Sequence, residues 1–589
     1  MIPAKKPITD NKIPDATLMI LKSNFIFLFF LFFWFTLNVL QAAFTYLDPD
    51  EAYYWMYSKA LDWGYFDHPP ATAVLIKLGY SVIESELGIR LFTVLLQAFS
   101  FYGIWILVGK PTDKSKVWTL MALLVSMPLL QIYGFVATPD APLLFCSVWF
   151  LVLYQRFLQK ESWTNTLLLG FCMAALLYSK YHGVLLIFFT LLSNLKLLFK
   201  PKFYIASAFG ALLFFPHLYW QYAHDFSSFR YHLAGRNDAY QFKYTRDYII
   251  NQLLLFNPFL FPIIIISIIK QPIKDALHKA FLFVIVGFWS FFLYSTSKGH
   301  VEPQWTVVLS IPFIILLYHY TIANPSLTKW IFRIGIFTMT LFLIARVGLL
   351  KPDFFELKTN FHRTAWVQEL KNLSGEAPIA FENSYRDPSV YTFYSGQQAY
   401  SFADANYRKS QFDVWDWEKK LHNKTVVIAA QDSLGCNNCE QIKLTRKIFK
   451  IIKADSLQIS QKVKIEFKEV NEFKAGQSVT LDVNIQNPYD HTIHFGTTNQ
   501  PLQVDAIFYF IERERIKASP EVILRPPLVR LKPKETFVTQ AQFTVPDSLQ
   551  GAYHFGLGIQ TGELAPAYNS KVFTVNISRK AAKAQRRAD

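Results

Sequence analysis

Charge is scarce in this chain. Asp, Glu, Lys and Arg make up 17 % of its 589 residues, while apolar residues reach 52 % and aromatics 17 %. A soluble protein carries about 25 % charge, so the deficit excludes a wholly soluble fold. Cysteine is also scarce, and four residues do not make a disulfide framework. The sequence shows no internal repeat. It shows no cleavable leader either, because the first apolar segment (25–44) is long enough to span a bilayer and lacks a small-residue cleavage site. The net charge of +16 suggests nucleic acid at first sight. Much of that excess sits in short loops between apolar stretches, however, where Lys and Arg set membrane orientation. Nucleic acid is therefore not an expected partner.

What the chain has instead is apolar runs, concentrated before residue 350. A span needs roughly 20 apolar residues. Eleven candidates lie near 24–44, 88–109, 116–135, 140–158, 164–180, 183–199, 203–222, 249–269, 280–297, 303–320 and 328–349. Lys5, Lys6, Lys12 and Lys22 precede the first, and each even-numbered exit is basic: Lys110, Lys114 and Lys116, then Arg156 and Lys160, then Lys196, Lys200 and Lys202, then Lys270, Lys274 and Lys279, then Lys329 and Arg333. Those loops and the N-terminus are expected in the cytoplasm. The odd exits, and everything after the eleventh span, are expected outside. Segment 71–87 is apolar but short and ends in ESE, which reads as an interfacial or re-entrant helix.

The character changes after Lys351. Residues 351–460 mix helix-like (TAWVQELKNL) and strand-like (APIAFEN, KTVVIAAQ) runs, as in a small α/β unit. Between 461 and 577 short alternating runs dominate. In one of them Val479, Leu481, Val483 and Ile485 share a face, with turn signals at Gly476 and Asn487-Pro488, as expected of a β-sandwich. The expected fold is a polytopic α-helical membrane protein of about 11 transmembrane helices with a soluble α/β unit and a β-sandwich at its C-terminal end. Residues 1–23 form a cytoplasmic N-terminus, 24–350 the membrane domain and 578–589 a basic tail. Cys436-Asn-Asn-Cys439 reads as a short-loop disulfide in an oxidising compartment; a redox centre finds little support around it, and zinc lacks two further ligands. Cys146 and Cys172 lie within spans and read as packed thiols.

Orientation places five polar groups on the outer side: the loop 48–70, TPDAP (138–142), SKYHG (179–183), the long loop 224–247 and SKGHVEPQW (297–305). All abut apolar helix ends, so they should converge at one membrane–water boundary. Carboxylates beside a bilayer cost free energy unless they have a task or partners. Carboxylates serve as bases or metal ligands, Lys and Arg hold anions such as phosphate, and the many rings suit sugar faces or a lipid boundary.

The runs DEAYYW, WGYFDHPP, TPDAPLLF, SKYHGVLL and SKGHVEPQW resemble, in this order, the membrane glycosyltransferases of the protein O-mannosyltransferase and lipid A aminoarabinose-transferase superfamily, the GT-C fold (glycosyltransferase family 39-like). The resemblance covers residues 20–350. It implies inverting transfer from a polyprenyl-phosphate-linked sugar to a lipid, glycan or protein acceptor among membrane lipids. A lipid-borne donor also follows from chemistry, since nucleotide sugars are not available outside the cytoplasmic membrane. A phosphate leaving group needs cations, whereas the acceptor hydroxyl needs a base.

By resemblance, Asp50 matches the catalytic aspartate and Glu51 its partner; Asp50 also fits the N-cap of EAYYWMYSKAL. Asp67 matches a metal-binding acidic residue, with His232 as a second ligand; no cofactor is expected to be required, a divalent metal being optional. His68, expected on the donor phosphate or lipid, stands where the family has a lysine on the lipid phosphate. Lys180, Lys298, Arg230 and Arg236 are the cations expected to hold donor phosphate, the plainer reading of Lys180 being a terminal lysine that snorkels. Asp140, Tyr54, Trp55, His182, His300 and Trp305 are expected to line the substrate pocket; Asp140 also fits a helix cap. A transporter or flippase of lipid-linked sugars would place ionisable groups near the midplane within repeats, which this chain does not do. A scaffold without catalysis would have no use for the DE pair and the lysines.

Overall fold

The computed structural model describes residues 15–233, 239–351, 361, 364–431, 439–496, 500–510, 516–562 and 564–579. It divides into two compact units, 1–363 and 364–589.

The first unit is helical throughout. Helix α1 (Asp15–Phe44) is followed by α2 (Pro49–Lys59), α3 (Ala71–Tyr80) and α4 (Glu86–Leu107). Next come α5 (Lys114–Val125), α6 (Pro128–Ile132), α7 (Asp140–Gln159), α8 (Trp163–Ser179), α9 (Gly183–Ser193) and α10 (Pro201–Ala223). The unit closes with α11 (Ser227–Leu233), α12 (Phe242–Leu255), α13 (Phe261–Lys270), α14 (Ala276–Ser295), α15 (Ser310–Ala323) and α16 (Thr328–Leu350). Among the described residues seven helical segments are long and apolar enough to cross a membrane: Asn24–Phe44, Glu86–Leu107, Asp140–Gln159, Pro201–Ala223, Ala276–Ser295, Pro303–Ala323 and Pro325–Leu350. The remaining expected spans are shorter or broken. Pro128 cannot donate to the helix behind it, so the stretch expected over 116–135 is split into α5 and α6. The stretch expected over 249–269 breaks at Asn257, whose backbone is left-handed (φ 67°), just before Pro258. Segment 71–87 forms α3, ten residues long and too short to span.

Aromatic and aliphatic side chains from α1, α4, α5, α7, α8, α14 and α15 fill one continuous core, with Trp34, Phe101, Phe150 and Phe157 almost wholly buried. Where α8 crosses α10, Gly170 faces Gly210, and a Cβ on Gly170 would fall 2.3 Å from the Ala206 carbonyl oxygen. Small residues let membrane helices approach backbone to backbone.

The second unit begins with α17 (Ala365–Ser374) and a five-stranded sheet. In chain order its strands are β1 (Ile379–Glu382), β2 (Tyr400–Phe402), β3 (Val426–Ala430), β4 (Glu440–Leu444) and β5 (Lys447–Ala454). Their spatial order is β2-β1-β3-β5-β4, with β1 parallel to both β2 and β3. After residue 463 the fold is all β. One five-stranded sheet carries Leu502–Tyr509 beside Gly551–Thr561, and a four-stranded sheet carries Ser478–Gln486 beside Thr536–Thr544. Val479, Val483 and Ile485 are buried on the predicted face, with Leu481 half-buried beside them. Cys439 is disulfide-bonded, whereas Cys436 lies outside the described residues. Cys146 and Cys172 are free and buried.

Candidate active site

Helix α2 starts two residues before the expected point. Asp48 is its N-cap: its side chain accepts from the Asp50 amide, and the Glu51 carboxylate accepts from the Asp48 amide at 2.9 Å in a capping box. Pro49 takes the first helical position, where a missing N–H costs nothing. The expectation that Asp50 caps this helix is thus corrected. Asp50 stands in the first turn, and its carboxylate is not the capping group.

Glu51 is completely buried, and so is its partner Arg90 in the first turn of α4. Arg90 Nε and Nη2 donate to the two Glu51 oxygens at 2.7 and 2.5 Å. The other guanidinium protons go to the carbonyls of Ala42, Thr45 and Tyr46, at 3.0, 2.7 and 2.9 Å. All five donors of the fork are used. Glu51 also accepts from the Ala137 amide at 2.7 Å. The C-terminus of α1, the start of α2, the start of α4 and the linker before α7 are therefore tied at one point. Both Glu51 oxygens are thus engaged, by the Arg90 guanidinium and by the amides of Asp48 and Ala137.

The next element toward the site is the Ala137–Asp140 turn. Asp140 is the first residue of α7 and makes no capping bond, so the cap reading is corrected here too. Its Oδ1 accepts from Lys180 Nζ at 2.7 Å, and both residues are buried. Lys180 terminates α8. A buried ammonium that reaches a carboxylate is not a snorkelling one, so that reading also falls. Tyr133, at the end of α6, lies within electrostatic reach of Asp48, Asp50, Asp140 and Glu302. These carboxylates come from three of the five polar runs.

A second group joins the first loop to α10 and α11. His217 Nδ1 lies 2.7 Å from the Trp63 carbonyl oxygen, and Trp220 Nε1 donates to Asp62 Oδ2 at 2.8 Å. Tyr181 Oη lies 3.0 Å from His217 Nε2, and its ring packs against His232. Tyr54 and His232 both stack near His68, at 5.6 and 6.0 Å between ring centres. Trp55 turns away from this group, packing on Tyr80 of α3 with the Lys59 ammonium over its other side. The expected metal pair does not fit a metal as it stands. His232 Nε2 faces the backbone carbonyl of Asp67 at 2.7 Å, while the Asp67 carboxylate accepts from Tyr57 Oη at 3.2 Å. Among the described residues no three His, Cys, Asp or Glu side chains are grouped to hold an ion.

The remaining expected residues are spread around this core. His182 packs on Trp305 and Phe292, at 5.0 and 5.2 Å, which brings two of the runs together. His300 lies 3.9 Å from Glu302; His300 is exposed and Glu302 half-buried. Lys298, in the turn after α14, and Arg230, on α11, are exposed. Arg236 lies outside the described residues. Arg90, Tyr133 and His217 had no place among the residues singled out from sequence. Arg90 and His217 were visible as polar residues inside apolar runs, whereas nothing in the sequence marked Tyr133.

Residues 67–220 match the family model described as dolichyl-phosphate-mannose-protein mannosyltransferase. Two crystal structures of ArnT from Cupriavidus metallidurans share the fold. The apo form superposes with a TM-score of 0.54 at 11 % identity, covering 74 % of this chain and 98 % of that one. The form bound to undecaprenyl phosphate gives 0.52 at 12 % identity with the same coverage. The arabinosyltransferase EmbB from Mycobacterium smegmatis is a looser likeness, with a TM-score of 0.37 at 9 % identity over 96 % of this chain and 66 % of that one. No curated protein shows significant sequence similarity to the chain. With its apolar helices, its ArnT-like architecture and the mannosyltransferase-like segment in its first half, the chain is a multi-pass membrane protein of the GT-C glycosyltransferase fold.

Proposed function

We propose that this protein transfers a sugar, with inversion, from a polyprenyl-phosphate donor to a lipid, glycan or protein acceptor at the outer face of the cytoplasmic membrane. The observation that carries the reading is the bond at 2.7 Å from the Ala137 amide to Glu51, the neighbour of Asp50. It ties the loop of the candidate base to the turn that leads into the buried Asp140–Lys180 pair.

In this reading Asp50 accepts the proton of the acceptor hydroxyl. The acceptor oxygen bonds to the anomeric carbon as the bond from that carbon to the phosphate oxygen breaks, and the lipid phosphate leaves with the electron pair. Lys180 stabilises the charge that develops there, shared with Asp140 until the donor arrives. Lys298, Arg230, Arg236 and His68 contribute to holding the phosphate. Tyr54, His182, His300 and Trp305 line the substrate pocket. The undecaprenyl phosphate bound to the ArnT relative supports a lipid phosphate as the donor handle. The disulfide at Cys439 supports an oxidising, extracytoplasmic home for the C-terminal region. There the α/β unit (351–460) and the β-sandwich (461–577) bind or position the acceptor.

The test is mass spectrometry of membrane lipids and glycans from cells lacking the protein, followed by assay of the purified chain. An accumulating polyprenyl-phosphate sugar, consumed by the protein in a lipid nanodisc, is the expected result. A lipid and glycan profile identical to that of the parent cells would sink the reading.

A further inference from the structure

The break between α5 and α6 frees backbone carbonyls inside the bundle. No water is available in a bilayer core to satisfy such groups, so side chains must. At the end of α5 the Val125 carbonyl accepts from Gln131 Nε2 at 2.6 Å, and the Ser126 carbonyl from Asn257 Nδ2 at 3.0 Å. Asn257 marks the break between α12 and α13, and it also reaches Thr338 Oγ1 of α16 at 2.9 Å. At the end of α6 the Leu130 carbonyl accepts from Gln97 of α4, and the Gln131 carbonyl from Arg346 Nη2 at 2.9 Å.

Arg346 is the unusual member of this set. It lies near the C-terminal end of α16 and is only 4 % exposed. Its Nη2 also donates to Asn38 Oδ1 at 2.8 Å, and its guanidinium sits over the faces of Trp34 and Phe135, at 5.5 and 5.0 Å. Nε and Nη1 have no hydrogen-bond partner among the described residues. A charged side chain within a membrane bundle is expensive, which makes it a functional candidate by default. A neutral glutamine would cap a carbonyl at lower cost. What the cation adds is a grip on both sides of the linker, the carbonyl of Gln131 and the ring of Phe135, two residues before and two residues after Tyr133. Gly134 between them is packed so closely that a Cβ there would fall 2.2 Å from Gln97 Oε1.

We infer that Arg346 is a positioning residue for the transfer step: from α16 it fixes the Gln131–Phe135 segment, and with it Tyr133 and the Asp140 turn, against the Asp50 loop. This inference rests on the proposed transferase reading. It requires no contact between Arg346 and substrate.

The full-length protein in nanodiscs tests it through Arg346→Met and Arg346→Lys. Amide hydrogen exchange should rise in Arg346→Met by about tenfold or more over residues 133–141, with α8 and α10 unchanged, and Arg346→Lys should recover much of that protection. With a synthetic polyprenyl-phosphate sugar, Arg346→Met should lower kcat on the order of 10²-fold, as small misplacements do, and leave the donor KM within about twofold. Unchanged exchange over 133–141, or an equal rise throughout the bundle, overturns the inference. So does local loosening with kcat intact. A wild-type chain inactive toward every polyprenyl-phosphate sugar would sink the transferase reading and, with it, the step that Arg346 is said to position; the exchange data would still decide whether Arg346 fixes the linker.

Discussion

Lys180 Nζ lies 2.7 Å from Asp140 Oδ1, both side chains nearly sealed from solvent, at the meeting of the end of α8 and the start of α7. A buried pair of this kind is strongly destabilising to break, because the survivor keeps an uncompensated charge, yet costs little to replace whole. That asymmetry separates a structural pair from a working one. Lys180→Ala should destabilise the membrane unit by about 3–5 kcal/mol, read as a lower midpoint in detergent. The double variant Lys180→Met with Asp140→Leu should regain most of that stability and none of the transfer activity. Restored transfer would assign the pair to packing alone.

For Asp50 the expectation is the reverse balance. Since Asp48 caps α2 and Asp50 does not, Asp50→Asn leaves the cap in place. Transfer should fall by about 10²–10⁴-fold at an unchanged melting temperature. Asp48→Ala, by contrast, should cost about 1 kcal/mol of stability and only a modest part of the rate. Near-normal turnover by folded Asp50→Asn protein would remove the base from the mechanism.

Glu51→Gln should behave as neither. It strips the charge from a carboxylate held by Arg90 and by two backbone amides. Stability and activity should therefore fall together, stability by about 3–5 kcal/mol. Loss of turnover at an unchanged melting temperature would make Glu51 a catalytic group.

The second unit offers a pH test. Burial, with Asp404 close by, pushes the Glu382 carboxyl up from 4.5 to about 7. The folded state then binds the proton more tightly than the unfolded chain. Its contribution is complete below about pH 4.5 and is lost as pH rises through about 7. Thermal or exchange stability of the strands β1 to β3 should decline across that window by at most about 3 kcal/mol. Glu382→Gln should flatten the slope. A slope that survives the substitution would assign it to other groups.

Orientation is open to chemical labelling. Leu61 in the first loop and Val538 in the sandwich are exposed, at 50 % and 67 %, and Lys114 is exposed before α5. In a background without Cys146 and Cys172, an impermeant thiol reagent should mark Leu61→Cys and Val538→Cys in intact cells. Lys114→Cys should react only after lysis. Reaction of Lys114→Cys in intact cells would invert the proposed topology.

The sequence made the fold class legible because hydropathy and alternation are local signals. The seven long spans and the alternating sandwich strand around Val483 followed from them. The breaks were less so, although Pro128 and Asn257-Pro258 were their signals. At the site the reading was good for single residues and poor for pairs. Asp140 and Lys180 were each singled out, but nothing local says that they meet across 40 positions. Glu51 was taken with its neighbour Asp50, whereas its partner Arg90 lies 39 residues on, at the start of a span. Arg346, set in LFLIARVGLL, was visible as a charge within an apolar run; its task depends on carbonyls freed more than 200 residues earlier. The cap fell to Asp48 because Pro49 occupies the first helical position, a local rule that Asp50 had obscured.

The five donors of Arg90 also say something about the order in which the chain is made. Ala42, Thr45, Tyr46 and Glu51, which take all five, precede Arg90 in the sequence. When the ribosome delivers α4 to the membrane, every acceptor for that cation has already been synthesised. A guanidinium left without partners there would oppose insertion. Here it enters as the closing member of a knot begun one helix earlier, and the Ala137 amide is added only later. Deleting or lengthening the segment between α1 and α2 would therefore act first on the biogenesis of α4, before any substrate is met.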